Sequence, residues 1–116
     1  MTWHATGVTE GSLPEGAPRE VMLDQRSVLL VRVEGAIRAL DGVCPHLGGA
    51  LVEGRLDGRR LTCPLHEATF DVTNGAVVTD PFGLVPPEGG VAPVSSYPTR
   101  VSHGAIEVDV PDGPSP

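Results

Sequence analysis
An antiparallel all-β fold is what this sequence predicts, and three observations carry it. Glycine (15) and proline (12) are abundant without any repeat, which suits short strands joined by tight turns. Segments rich in Val, Leu, Ile and Thr recur between glycine-containing turn pairs, Asp-Gly and Asn-Gly among them. No amphipathic helix of useful length interrupts them. At 116 residues the chain makes one domain, able to bury about two-thirds of its unfolded surface and too short for a second catalytic unit. Aromatics are limited to Trp3, Phe70, Phe82 and Tyr97, so the core must be mostly Val, Leu, Ile and Ala.

Residues 3–7 form a first edge strand, followed over 9–16 by a connection with room for one helical turn. Residues 19–23 and 27–33 flank Asp24-Gln25-Arg26 as a hairpin, and Val28-Leu29-Leu30-Val31 reads as buried on both faces. Glu34-Gly35 turns the chain into 36–40, completing a three-stranded meander. Residues 51–55 and 59–62 flank Asp57-Gly58, and 68–72 and 76–79 flank Asn74-Gly75, giving two further hairpins. Residues 80–93 contain Pro81, Pro86, Pro87, Gly89, Gly90 and Pro93, which break any ladder. Residues 94–101 and 105–110 pair across Ser102-His103-Gly104, with Ile106, Val108 and Val110 alternating against Glu107 and Asp109. Residues 111–116 are expected to fray.

Composition excludes several function classes. A net charge of −7 argues against nucleic acid, which is bound chiefly through neutralised phosphates. The acidic balance is either a solubility device or a means of steering onto a basic partner. The longest aliphatic run, 28–31, is far too short to span a bilayer, and the first residues lack a basic, apolar leader, so a soluble cytoplasmic protein is expected. Only two cysteines are present, and both have another use below, which agrees with a reducing compartment.

The chemistry lies between residues 44 and 66. Cys44-Pro45-His46-Leu47-Gly48-Gly49 and Cys63-Pro64-Leu65-His66 are two short loops of similar design, each with one thiolate and one imidazole. Zinc sites usually take a Cys pair from one loop and a His pair from another. A mixed pair in each loop instead suits two irons, with both thiolates on one and both imidazoles on the other, the division that defines the Rieske type of two-iron, two-sulfur centre. Gly48 and Gly49 let backbone amides approach the inorganic sulfurs, while Pro45 and Pro64 stiffen the loops. Leu47 either packs or shields the centre from water.

Over 42–80 the sequence resembles the Rieske ferredoxins, small electron carriers of bacterial ring-hydroxylating oxygenases. The resemblance implies a Rieske-like antiparallel β-sandwich with a small cluster-binding subdomain inserted at about 42–81. It implies one 2Fe-2S cluster, with Cys44 and Cys63 on one iron and His46 and His66, nearer solvent, on the other. It further implies a proline-containing cover from 80–93, a flavin- and NAD(P)H-dependent reductase and a terminal oxygenase as partners, and no catalysis by the chain itself. A monomer is expected. Relatives that activate oxygen need a second, mononuclear iron; only His4 and His103 remain for one, and both read as surface histidines.

High-potential relatives carry an extra Cys in each loop, at positions occupied here by Gly49 and Leu65, and hydroxyl donors where Ala68 and Phe70 stand. Their loss implies a low reduction potential, around −150 mV, and by the same resemblance proton loss from oxidised-state His46 or His66 implies a midpoint that falls as pH rises into the alkaline range. Glu67 is a solvated carboxylate or adds negative charge beside the centre. Two rival readings stand: a small Rieske-like subunit of an assimilatory nitrite reductase, and a zinc-stabilised structural or interaction module.

Overall fold
The computed structural model describes residues 2–43, 50–63, 68–79 and 93–111. Within them run eleven strands: β1 (Thr2–Thr9), β2 (Arg19–Leu23), β3 (Arg26–Val33), β4 (Ala36–Asp41), β5 (Arg55–Asp57), β6 (Arg60–Thr62), β7 (Thr69–Asp71), β8 (Val77–Thr79), β9 (Ser96–Tyr97), β10 (Thr99–Ser102) and β11 (Ala105–Val110). Single 3₁₀ turns occupy Glu10–Ser12 and Leu51–Glu53. The strands pair antiparallel in three sheets, ordered β1-β11-β10, β2-β3-β4-β9 and β5-β6-β7-β8.

The aliphatic run in β3 explains how the sheets assemble. Val28, Leu29, Leu30 and Val31 are all fully buried, and period-2 alternation sends them to different cores. Val28 and Leu30 join Val8, Leu13, Leu23, Ala39, Ile106, Val108 and Val110 under the first sheet. Leu29, Val31 and Val33 join Leu40, Leu51, Leu61, Cys63, Ala68, Phe70, Val72 and Val94 under the third. The central sheet is thus dry on both faces along β3, and the other two sheets cover it from opposite sides.

Several turns differ from the sequence reading for definable reasons. Arg26 belongs to β3 and pairs with Leu23, leaving a two-residue turn in which Asp24 (φ 49°) and Gln25 (φ 68°) adopt left-handed backbone. No glycine marks this turn, so its tightness was hidden. In the β5–β6 hairpin Asp57 pairs with Arg60, which moves the turn to Gly58-Arg59. Residues 51–53 form a 3₁₀ turn rather than the start of a strand, with the Gly54 N–H donating to the Leu51 carbonyl at 2.9 Å.

Asn74-Gly75 is not a two-residue hairpin either. The Asp71 N–H donates to the Ala76 carbonyl, enclosing Val72, Thr73, Asn74 and Gly75. The Asp71 carboxylate shapes this longer turn, accepting from the Thr73 N–H at 2.8 Å and the Thr73 hydroxyl at 2.6 Å. Residues 94–101, expected as one strand, divide at Pro98: β9 pairs with β4 in the central sheet and β10 with β11 in the first. Proline has no N–H for a ladder, and its carbonyl accepts from the Asp109 N–H at 3.0 Å, so the chain changes sheets there.

Candidate metal centre
Two backbone necks frame the site. Val43 bridges Ala50, and the Leu51 N–H donates to the Gly42 carbonyl at 2.9 Å, closing the base of the first loop. The Cys63 N–H donates to the Ala68 carbonyl at 2.7 Å, closing the base of the second. This second base continues the β6–β7 ladder, in which Thr62 pairs with Thr69. From both necks side chains enter one apolar cluster, where Leu51, Cys63, Ala68 and Phe70 are at most 1% exposed.

Of the four expected ligands, only Cys63 lies among the described residues; Cys44, His46 and His66 lie outside them, with Pro45, Leu47, Gly48, Gly49, Pro64, Leu65 and Glu67. Residues 80–92 of the expected cover and residues 112–116 of the expected frayed tail lie outside them too. Among the described residues no group of three or more His, Cys, Asp or Glu side chains could hold a metal ion. Cys63 fits a role as a thiolate ligand: it stands at a loop entrance, dry and walled by aliphatic and aromatic groups, where a thiolate needs a bonded cation to offset its desolvation. Ala68 and Phe70, beside it in the same cluster, bring no hydroxyl toward it.

The remaining histidines do not meet. His103 is exposed in the β10–β11 turn, as expected. His4 departs from its surface reading: alternation in β1 places it opposite Val108, half-buried, while Trp3 and Ala5 face outward. Two open grooves, of about 450 and 400 Å³, are recorded among the described residues, and neither is lined by Cys63.

A displaced titration lies at the far end of β7. The Thr73 hydroxyl and then the Thr73 N–H hold the Asp71 carboxyl below the usual carboxylate range, burial opposes them, and the Arg59 and Arg38 charges add smaller support. Arg59 lies 3.6 Å from Asp71 and 3.8 Å from Glu34.

Sequence reasoning missed Gly42 and Gly54, whose backbones lie against other backbone or side-chain atoms at the loop bases. For Gly54 the available signal was an isolated glycine inside the strand-like segment 51–55, which marks a bulge or a close approach.

Comparison with known proteins is consistent along the chain. The model of the Rieske [2Fe-2S] domain matches residues 3–98. The ferredoxin component of a naphthalene 1,2-dioxygenase system from Pseudomonas aeruginosa is 30% identical, over 84% of this chain and 86% of its own length. Among solved structures, the ferredoxin of carbazole 1,9a-dioxygenase from Nocardioides aromaticivorans IC177 superimposes with a TM-score of 0.79 at 27% identity, over 99% of this chain and 100% of that one. A putative NADH-dependent nitrite reductase small subunit from Mycobacterium tuberculosis gives a TM-score of 0.73 at 26% identity, over 92% and 93% of the two chains. The chain belongs to the Rieske [2Fe-2S] domain family, whose cofactor is one two-iron, two-sulfur cluster.

Proposed function
We propose that this chain is a one-electron carrier that accepts electrons from an NAD(P)H-dependent flavoprotein reductase and delivers them to a terminal, aromatic-ring-hydroxylating oxygenase. When bound, a Rieske cluster supplies reversible one-electron transfer and needs no acid, base or nucleophile from the protein. Cys44 and Cys63 hold one iron, and His46 and His66 hold the other. The observation that carries this reading is the placement of Cys63, dry and at a hydrogen-bonded loop base, in a chain of the Rieske family.

The work of the surrounding residues follows. Leu51, Leu61 and Phe70 keep water from the Cys63 side of the site. The Val43–Ala50 bridge and the Cys63–Ala68 hydrogen bond hold the two loop bases fixed, so that little reorganisation accompanies a change of charge. Residues 42–81 act as a cluster-binding unit inserted into the rest of the fold; all four strands of the third sheet come from within it. The protein works as a cytoplasmic monomer; among the described residues no helix is long and apolar enough to cross a membrane.

The test is direct. Anaerobically purified protein should be reddish-brown, contain two irons and two acid-labile sulfides per chain, and give a rhombic resonance on reduction. It should then mediate electron flow from a flavoprotein reductase to an oxygenase, more slowly as salt is added. Colourless protein containing zinc would reject the reading. The likeness to a nitrite reductase small subunit supports one alternative, for which co-purification with a sirohaem enzyme is the decisive observation.

A further inference from the structure
The described glycines fall into two groups. At Gly7, Gly11, Gly16, Gly35, Gly58 and Gly104 a side-chain carbon would meet nothing within 4 Å. At Gly42, Gly54 and Gly75 it would collide, and the first two of these lie at the bases of the two expected ligand loops. A Cβ on Gly54 would stand 2.3 Å from the Thr62 carbonyl oxygen and 3.1 Å from that of Leu51. A Cβ on Gly42 would stand 2.1 Å from the Ser27 hydroxyl and 3.1 Å from the Ser27 Cβ and carbonyl carbon.

Backbone freedom does not explain glycine at position 54. Its φ of −75° and ψ of 177° are open to any residue. Space does explain it. Gly54 hydrogen-bonds to Leu51, whose own N–H closes the neck of the first loop, and its Cα packs on Thr62, the residue directly before Cys63. It therefore touches both the backbone leaving one loop and the backbone entering the other. Thr62 cannot yield freely, because it pairs with Arg55 on one side and Thr69 on the other.

We propose that Gly54 is a positioning residue, the spacer that sets the gap between the two ligand loops, and that Gly42 seats the first loop's neck against the central sheet. The proposal rests on the ligand reading above. A methyl group at 54 must displace the Thr62 carbonyl, and Cys63 with it, by a distance comparable to the roughly 0.5 Å within which a functional site must be held. The effect is carried through the thiolate ligands and so is read at the cluster itself.

The experiment compares Gly54→Ala, Gly42→Ala and the control Gly11→Ala in the full chain. Its readouts are iron and sulfide content, the resonance positions of the reduced protein and the rate of iron loss to a chelator. Gly54→Ala is expected to shift the resonances and to lose iron about ten-fold faster, with Gly11→Ala unchanged. Gly42→Ala is expected to behave likewise. Combining it with Ser27→Gly, which removes the hydroxyl and Cβ it would strike, should restore the wild-type signal. The rescue pair tests the Gly42 contact independently of whether Gly54→Ala accumulates as folded protein.

Wild-type resonances and iron retention in both single variants, or no restoration by Ser27→Gly, would overturn the inference. Its failure is distinct from failure of the ligand reading. Wild-type protein lacking two irons and two sulfides, or Cys63→Ala protein retaining them, would reject the latter whatever the glycine variants show.

Discussion

The first and third sheets lie on opposite faces of β3, yet they are held together differently. The first uses strands of eight, four and six residues, an interior whose fully buried side chains are all aliphatic, and turns whose glycines stand in open space. The third uses four strands of three residues each. Strands that short offer few ladder hydrogen bonds and would be marginal alone. Their order comes instead from Phe70 and Leu61 in the core, from the Asp71 carboxylate wired into its own turn, and from crowded glycines at the loop bases. Where the fold carries a site, specific packing replaces regular repetition.

Four measurements would test that contrast. The largest effect is expected from Cys63→Ala, which should abolish the visible colour and remove iron and sulfide from the purified protein, as metal analysis would show. Next, Phe70→Ala in the third-sheet core and Leu30→Ala in the first-sheet core should each lower stability in chemical denaturation, by about 3–5 and about 2–5 kcal/mol respectively. Phe70→Ala should also speed loss of the cluster more than Leu30→Ala does; equal losses from both would mean that the two cores are not specialised.

A smaller effect is expected at the potential. Ala68 and Phe70 are fully buried beside Cys63 and lack the hydroxyls of high-potential relatives, so the midpoint should lie near −150 mV. Ala68→Ser combined with Phe70→Tyr should raise it in voltammetry, and a wild-type midpoint well above zero would contradict the assignment.

The smallest effect is the pH dependence of the Asp71 turn. Its carboxyl is held below the ordinary value of 3.8, so the folded state favours the charged form. That stabilisation is present above the ordinary value and fades as pH falls through the lower folded value. Asp71→Asn should therefore be less stable at neutral pH and show a shallower loss on acidification, measured by thermal unfolding across pH 2 to 6 (a range of about four units around the carboxylate value).

Much of this was legible in the sequence because it rests on pattern. The two-faced burial of 28–31 follows from four consecutive aliphatic residues, and the inward set Ile106, Val108 and Val110 follows from alternation. The chemistry was legible in the Cys-x-His and Cys-x-x-His loops. What stayed hidden depends on contacts distant in sequence. Pro98 reads as a mere break, yet it moves the chain between sheets. Asn74-Gly75 imitates a two-residue hairpin while Asp71 dictates a longer turn. Asp24-Gln25 bends as tightly as a glycine turn without announcing it. Gly54 lies in an unremarkable segment, and only its closeness to Thr62 gives it meaning.

Because β3 lends one side to each interior, neither interior can dissolve without exposing a strand the other depends on. Occupation of the iron–sulfur site should therefore register far from it: removing the cluster would lower the melting temperature of the whole molecule in one cooperative step, with amide protons of β11 losing protection alongside those of β7.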